Sequence, residues 1–299
     1  MLTPLRRAGL ALALSLSATA ALAQDVTIAT ATGEVTLPAH PATVAVLDIA
    51  AIDTLNALGV PVAGVPDKLY VDYLSPLAGA VPVVGTLFEP DLEALAALSP
   101  DLIIAGGRSS TQVEALSAVA PTIDMTIWED LVGEARARIA AYGTLFGKEA
   151  KAAELTATLD AKIAAVKDAA AGKGRALILM TNGPKVAAYG KGSRFSWLHD
   201  ALAIPEAFEN LNPDTHGDAV SFEFIAEVNP DWIIVVDRSA AIGEPASASD
   251  TLKNDLVAAT TAGQKGQIIY LSSAPIYVAG GGYTSLSTTL DELLKGFGG

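Results

Sequence analysis

Between Gly147 and Gly172 the sequence contains no Pro and no Gly, and strong helix formers (Ala, Glu, Lys and Leu) fill most positions. Apolar residues recur there at spacings of four, four and three, at Leu155, Leu159, Ile163 and Val166. About two dozen residues at about 1.5 Å each span about 36 Å, more than one layer of a small domain needs. Short apolar strands alternate with helices on both sides of this stretch. They include an N-terminal hairpin at Asp25 to Leu37, a helix from Ile49 to Leu58 that Asp48 could cap and Gly59 ends, a strand at Val62 to Val65, and a loop at Pro275 to Tyr283 before the last helix. We therefore predict an α/β protein with two Rossmann-like lobes, a single long helix joining them, and a ligand cleft between them.

The length and composition of the chain limit its organisation. Its 299 residues are enough for two domains. We expect a signal peptide at residues 1–23, an N-terminal α/β lobe at 24–146, the interdomain helix at 147–172 and a C-terminal α/β lobe at 173–299. Cys is absent, which excludes a disulfide framework, a thiolate nucleophile and a Cys-based metal site. The formal net charge of −14 argues against a nucleic-acid partner.

The first residues have the pattern of an export signal. Arg6 and Arg7 form a basic segment, an apolar run follows, and Ala21-Leu22-Ala23 is a small-x-small cleavage site. No Cys follows that site to carry a lipid. We expect cleavage after Ala23 and a free protein in the periplasm. The alternative is an apolar segment that is kept as a membrane anchor.

One pattern occurs twice in the chain, at residues 92–108 and 222–238. Each copy has a Glu, a Pro seven residues later and an Arg eight residues after the Pro. The paired positions are Glu93 and Glu223, Pro100 and Pro230, and Arg108 and Arg238. Each copy reads as a helix, a turn and a buried strand. Because ligands of open α/β sheets bind beyond the carboxyl ends of strands, the repeat predicts one Arg at the cleft edge of each lobe. The alternative is two similar units whose Arg share no role.

Glu93 and Glu223 begin the two repeated helices, at the end opposite to the strand ends. An acidic residue in a first turn interacts favourably with the helix dipole, which is one explanation. The other is that both are exposed docking points for a partner that carries matching Arg.

Several segments, taken in order, resemble the helical-backbone class of ABC-transporter substrate-binding proteins, and within it the ferric-siderophore branch that handles catecholates. Besides the repeat, these segments are Ala188-Tyr-Gly-Lys-Gly-Ser-Arg194-Phe, His216-Gly, Ser221-Phe-Glu223-Phe-Ile-Ala, Val236-Asp-Arg238 and Ile276-Tyr277-Val-Ala-Gly-Gly-Gly282. The resemblance covers essentially the whole chain after residue 23.

The resemblance implies that three Arg face an anionic iron complex, and the matching positions are Arg108, Arg194 and Arg238. It also implies a His and a Tyr that bind iron when the siderophore leaves two sites open. His216 matches the His, and we favour Tyr277 over Tyr283 for the Tyr. The family's paired Glu dock onto the permease, which places Glu93 and Glu223 in that role. The implied ligand is an Fe(III)–siderophore, with no intrinsic cofactor, an ABC permease dimer as partner, and a monomeric protein.

Physical chemistry supports these positions. A ferric tris-catecholate carries three negative charges, so an acidic protein needs cations focused in its cleft, and the planar fork of Arg suits catecholate oxygens. We expect Arg194 to begin a helix extending to Ile204, where free N–H groups after Gly190 also face the anion. Tyr70, Tyr73 and Trp128 could form flat cleft walls, although aromatic residues are more often core. His199 reads as a packed residue of that helix, and His40 as incidental.

Other functions are less well supported by the sequence. It has no G-x-S-x-G elbow, no P-loop, no dinucleotide fingerprint and no H-E-x-x-H, so we predict no enzymatic activity. A zinc- or manganese-binding relative needs several converging His and carboxylates, and only three scattered His are present. Haem or cobalamin capture by the same fold remains the nearer alternative.

Overall fold

A computed structural model describes residues 25–213, 216–245 and 247–298. The predicted signal peptide and its cleavage site lie outside these residues. Within them, no helix combines the length and the apolar character that a membrane crossing requires. The architecture is a mixed α/β fold, as predicted.

The strands are β1 (Asp25–Thr30), β2 (Gly33–Pro38), β3 (Val44–Val46), β4 (Leu102–Ala105), β5 (Thr122–Asp124), β6 (Ala176–Asn182), β7 (Lys185–Tyr189), β8 (Asp218–Ala219), β9 (Trp232–Asp237) and β10 (Ile268–Tyr270). The helices are α1 (Ile49–Leu58), α2 (Leu92–Leu98), α3 (Val113–Ser117), α4 (Leu131–Phe146), α5 (Glu149–Ala170), α6 (Trp197–Asp200), α7 (Phe222–Val228), α8 (Arg238–Ile242), α9 (Ala248–Thr251), α10 (Asp255–Ala258), α11 (Thr261–Lys265), α12 (Ser273–Tyr277) and α13 (Tyr283–Gly298). Two 3₁₀ helices within the described residues lie at Asp72–Leu77 and Gly107–Gln112.

We call residues 25–146 the N-terminal lobe and residues 173–298 the C-terminal lobe, a division that remains a prediction. The N-terminal lobe has a parallel sheet in the order β3-β4-β5, with the predicted β1–β2 hairpin beside it. A second strand predicted at 62–65 forms only isolated bridges, Ala45 with Gly64 and Val65 with Val83. Pro61 and Pro66 flank this stretch, and because Pro has no N–H to donate, the ladder cannot extend.

The C-terminal lobe has one sheet in the order β10-β9-β6-β7-β8. Strands β10, β9 and β6 run parallel, whereas β7 returns antiparallel to β6 and pairs with β8. Every residue of β9 is buried, as expected for a central parallel strand covered by helices on both faces. The carboxyl ends of β6 and β9 therefore open at the same edge of the sheet.

The predicted long helix is α5, which has 22 residues and a length of about 33 Å at 1.5 Å per residue. All four residues of its predicted apolar stripe are buried. It packs against α4 and α13, so the connection between the lobes is a layer of helices and not an isolated rod. Gly147, at φ 61°, ends α4 in the left-handed conformation that glycine adopts readily.

The last helix, α13, returns from the C-terminal lobe to pack on α1 of the N-terminal lobe. Its start is held by Asp53 of α1, whose fully buried carboxylate accepts hydrogen bonds from the N–H groups of Thr284 and Ser285, each at 2.8 Å. The hydroxyl of Tyr73 donates to the same carboxylate at 2.8 Å. We call Asp53 and these three donors the α13 latch. Tyr73 thus has a structural partner and does not form the flat cleft wall considered from the sequence.

Candidate ligand-binding cleft

The two copies of the sequence repeat fold alike. Helices α2 and α7 both end at a non-glycine residue in the left-handed conformation, Ser99 at φ 50° and Asn229 at φ 43°. The Asp after each Pro then holds the neighbouring strand. Asp101 accepts from the Thr43 N–H at 2.8 Å, and Asp231 accepts from the Arg175 N–H at 2.9 Å. The shared Pro-Asp pair therefore sets strand register at the edge of each sheet opposite to the cleft.

The Arg of each copy follows directly on a parallel strand. Arg108 lies in the 3₁₀ helix after β4, and Arg238 is the first residue of α8 after β9. Both occupy the carboxyl edge of their sheet, as the repeat predicts. Asp237 fixes the start of α8, since its carboxylate accepts from the N–H groups of Ala240 at 3.1 Å and Ala248 at 2.7 Å.

Three guanidinium groups converge on Tyr277. Arg238 Nε donates to the phenol oxygen of Tyr277 at 3.2 Å. The guanidinium carbon of Arg194 lies 4.3 Å from the centre of its ring, and that of Arg108 lies 5.6 Å away. The Tyr277 carbonyl accepts from Arg194 Nη2 at 3.0 Å and from Arg108 Nη2 at 3.3 Å. Arg108 belongs to one lobe and the other two Arg to the other, so these contacts cross the cleft.

These cations shift the pKa of the Tyr277 phenol. Burial alone would raise the pKa of Tyr277, but Arg194, the hydrogen bond from Arg238, and the charges of Arg238 and Arg108 together hold that pKa below its usual value. The same crowding acts on Arg194: burial lowers the pKa of its guanidinium, Tyr277 opposes that shift and Arg108 adds to it. A site that gathers three cations around a phenol of lowered pKa is suited to an anion and to a hard metal ion.

The helix predicted from Arg194 to Ile204 is wrong, because only α6 is helical in this stretch. Arg194 lies in a series of tight turns closed by bonds between residues three apart, such as Ser196 N–H to Ser193 O at 2.9 Å. Ser193 Oγ also donates to the Gly190 carbonyl at 2.6 Å, a local bond that competes with helix formation. Arg194 therefore does not lie at the start of a helix. Its guanidinium is positioned instead by the hydrogen bond that it donates to the Tyr277 carbonyl.

The predicted loop before the last helix is also partly wrong. Residues 273–277 form α12, and α13 begins at Tyr283. Tyr277 thus ends a short helix, from which its ring projects between the Arg. Tyr283 lies elsewhere: it packs against the apolar core, and its N–H donates to Thr54 Oγ1 at 3.3 Å.

Two cavities meet at Arg194 and Tyr277, which line both. The N-terminal cavity, of about 360 Å³, is also lined by Arg108, Asp48, Phe88 and Trp128. The C-terminal cavity, of about 400 Å³, is also lined by Arg238, Asn182, Lys185 and His216. Together they form the cleft.

At the level of sequence, the profile of the periplasmic binding protein family matches residues 44–275. The chain belongs to this family. As a periplasmic binding protein it is a substrate-binding component of transport and not an enzyme. It is 37% identical over 265 residues to the petrobactin-binding protein YclQ of Bacillus subtilis, covering 87% of this chain and 84% of YclQ. It is 28% identical over 274 residues to the ferric-anguibactin-binding protein FatB of Vibrio anguillarum, covering 89% and 85%.

Solved structures agree with this family. The crystal structure of YclQ superposes on this periplasmic binding protein with a TM-score of 0.85 at 35% identity, covering 92% of this chain and 99% of that one. The periplasmic catecholate-siderophore binding protein VctP of Vibrio cholerae gives a TM-score of 0.84 at 29% identity, covering 90% and 99%.

The remaining sites predicted for this periplasmic binding protein lie in different places. His216 is exposed at the rim of the C-terminal cavity, where its carbonyl accepts from the Tyr189 hydroxyl at 2.8 Å. Trp128 lines the N-terminal cavity. Tyr70 lines neither cavity; it packs against the core, with Lys68 Nζ 5.8 Å from its ring centre. His199 is buried with Nδ1 2.8 Å from the Ile204 carbonyl, which confirms that it is a packed residue.

Glu93 and Glu223 are both exposed in the first turns of α2 and α7. Their neighbours are alike, because each helix starts at a side chain that accepts a backbone N–H, Asp91 in one copy and Ser221 in the other. Backbone and Ser221 hydrogen bonds lower the pKa of Glu223, so its carboxylate is ionised at neutral pH. The two repeats therefore present matching negative charges on the outer surface.

Sequence reasoning missed several cleft residues. Asp48 was read only as the cap of α1, although it follows β3 at the same strand edge that identified Arg108. The principle that ligands bind beyond the carboxyl ends of strands could therefore have identified Asp48 as well. Phe88 gave no such signal, since a single aromatic residue in a loop has no pattern. Asn182 and Lys185 flank the β6–β7 turn, and Asn182 Oδ1 accepts from Arg238 Nη1 at 3.3 Å.

Proposed function

We propose that this periplasmic binding protein captures a ferric siderophore of the catecholate type and delivers it to an ABC permease dimer for iron uptake. The observation that carries the proposal is the convergence of Arg108, Arg194 and Arg238 on Tyr277. The names of YclQ, FatB and VctP all refer to a siderophore or its ferric complex, which supports the same ligand class.

The charge of the cleft matches such a ligand. The protein as a whole carries a formal charge of −14, so a trianionic chelate is repelled everywhere except where guanidinium groups gather. Arg donates through a planar fork, and charge-assisted hydrogen bonds to catecholate oxygens are stronger than neutral ones. The carbonyl and phenol oxygens of Tyr277 accept hydrogen bonds from the three Arg, and a bound chelate would accept from the other N–H groups of their guanidinium groups.

We propose that iron is the cargo and that the phenol of Tyr277 binds it directly. Fe(III) prefers anionic oxygen donors, and the lowered pKa of the Tyr277 phenol favours the phenolate form. His216 at the rim of the same cavity would supply the second donor. A siderophore that leaves two iron sites open would therefore be completed by the protein, whereas a hexadentate one would not need them.

Delivery requires a docking surface and export. Glu93 and Glu223 are exposed at equivalent places of the two repeats, and we propose that they bind Arg of the permease dimer. Residues 1–23 would direct export, with cleavage after Ala23 leaving a free, monomeric protein in the periplasm.

The experiment is a fluorescence-quenching titration with a ferric catecholate. Arg238→Ala should weaken binding by about 1–3 kcal/mol, which is roughly 5- to 150-fold, because a charge-assisted hydrogen bond is lost. Arg136→Ala is the matched control, since Arg136 pairs with Asp160 on the helical surface. Unchanged affinity in Arg108→Ala, Arg194→Ala and Arg238→Ala alike would reject the proposal. Titration with haemin and cobalamin in the same assay tests the alternative ligands.

A further inference from the structure

The two cavities of the cleft differ in charge. Three cationic side chains line the C-terminal cavity, Lys185, Arg194 and Arg238, and no carboxylate of the described residues lines it. Asp48 and Arg108 both line the N-terminal cavity, and among its other lining residues only the shared Arg194 is charged. With the shared Arg194 counted in both, the lining side chains carry a formal charge of +3 in the C-terminal cavity and +1 in the N-terminal cavity. The charge of a simple anionic chelate accounts for the cations of the C-terminal cavity but not for the carboxylate of the N-terminal cavity.

Asp48 is held rigidly beside the N-terminal cavity. Its Oδ2 accepts from the Ala51 N–H at 3.0 Å, and a Cβ on Gly106 would lie 3.1 Å from its carboxyl carbon. Among the described residues no ion pair within 4 Å joins Asp48 to Arg108, whose guanidinium donates to the Tyr277 and Val278 carbonyls. Burial raises the pKa of Asp48 to about 6, and the lowering effects of Ala51 and Arg108 do not cancel that rise. A cation arriving from the cleft would supply the missing compensation.

Two aromatic rings flank the same cavity and remain strongly exposed. Phe88 is 58% exposed and Trp128 is 53% exposed, although both line the cavity. The backbone of Trp128 is fixed, because its N–H donates to the Glu134 carboxylate. Aromatic faces next to a carboxylate favour a protonated amine on an apolar chain, since the rings attract cations and pack against methylene groups.

We propose that the N-terminal cavity binds a protonated amine in the linker of the siderophore, with Asp48 accepting its N–H and with Phe88 and Trp128 packing on the linker. This inference rests on the proposed function and narrows the substrate class to ferric siderophores whose chelating groups are joined by an amine-containing linker. The iron end then lies against Arg194 and Arg238, and the linker extends towards α1.

The proposal predicts effects of opposite sign for two ligands. For a ferric chelate without an amine, Asp48 is only a negative charge near an anion, so Asp48→Asn should raise affinity. For a chelate with a linker amine, the same substitution removes a charge-assisted hydrogen bond and should weaken binding about tenfold. Asn caps helices about as well as Asp, so α1 is preserved.

The experiment compares two synthetic ferric catecholates of equal length, one with a secondary amine in the linker and one with an ether oxygen at that position. Affinities are measured by fluorescence quenching at pH 8. We expect the wild-type protein to prefer the amine ligand about tenfold and Asp48→Asn to lose that preference. Asp160→Asn is the charge-matched control, because Asp160 lines neither cavity and pairs with Arg136.

Two results would overturn the inference alone: equal affinity of the wild-type protein for both ligands, or an unchanged amine preference in Asp48→Asn. Both results leave the proposed function intact, because a ferric catecholate still binds. Failure of the wild-type protein to bind either ligand would overturn the proposed function and this inference with it.

Discussion

The α13 latch makes a prediction that can be tested without any ligand. Gly282, directly before α13, lies against the buried carboxylate of Asp53. A Cβ at position 282 would lie 2.4 Å from Asp53 Oδ2 and 2.8 Å from its carboxyl carbon. Gly282→Ala adds a methyl group to this contact, and Asp53→Ala removes the carboxylate from it. The two substitutions are made singly and together.

The expected magnitudes follow from these contacts. In Gly282→Ala a methyl group meets a fully buried carboxylate well inside van der Waals distance, and such overpacking costs about 1–3 kcal/mol. In Asp53→Ala three donors lose their acceptor, and leaving a buried donor unsatisfied costs about 1–3 kcal/mol. In the double variant the methyl group enters the space left by the carboxylate, so the two losses should not add. We expect the double variant to be more stable than the sum by about 1–3 kcal/mol.

The assay is equilibrium unfolding in urea, with the free energy of unfolding extrapolated to water for the wild type, both single variants and the double variant. Gly298→Ala is a suitable control, since nothing lies within 4 Å of a Cβ there. Additive losses, within about 0.5 kcal/mol, would refute the steric reasoning. A loss of less than about 0.5 kcal/mol in Asp53→Ala would show that the latch contributes little to stability.

Three further outcomes are expected. Tyr277→Phe should abolish the charge-transfer band shift with a ferric bis-catecholate and weaken the binding of that complex about tenfold, whereas a hexadentate complex should keep its affinity. Equal losses of affinity for both complexes would argue against direct coordination. The double variant Glu93→Ala with Glu223→Ala should lose uptake through the reconstituted permease at unchanged siderophore affinity, and lost affinity would place these residues in folding instead. Because the pKa of Asp48 is raised from 3.8 to about 6, its unfolded form ionises first, so wild-type stability should fall as the pH rises between these values. Asp48→Asn lacks the carboxyl group and should not show this loss. The free energy of unfolding of Asp48→Asn relative to that of the wild type should therefore increase between pH 4 and pH 7, by at most about 3 kcal/mol. A difference that is the same at both pH values would contradict the raised pKa.

Local signals in the sequence predicted much of the fold. The α1 helix begins and ends as expected, because Asp48 accepts the Ala51 N–H and Gly59 adopts the left-handed conformation at φ 70°. The hairpin turns at Gly33, with φ 115°, for a similar reason. The repeat placed Arg108 and Arg238 at strand ends because strand ends follow from chain direction alone. Each of these features depends on residues close together in the chain.

Features that depend on distant residues could not be predicted in this way. Pro275 and the glycines after Tyr277 indicated a loop, yet α12 forms there and its last carbonyl accepts from Arg108, about 170 residues away. Arg194 is placed by that same carbonyl and not by a helix start. The sequence around Asp53 did not indicate a partner at Thr284. A buried carboxylate and the helix start that donates to it lie far apart in the chain, so no local motif connects them.

The return of α13 to α1 also has a consequence for how the chain reaches its folded state. Asp53 and Ser285 are 232 positions apart, so the buried carboxylate in the N-terminal lobe has its backbone donors only once the last helix has formed. A ribosome or a translocation channel releases the N-terminal half first, and that half cannot complete its packing until the final helix emerges. Such a dependence keeps a newly made chain partly unfolded for longer, which would favour the export that we propose for this protein.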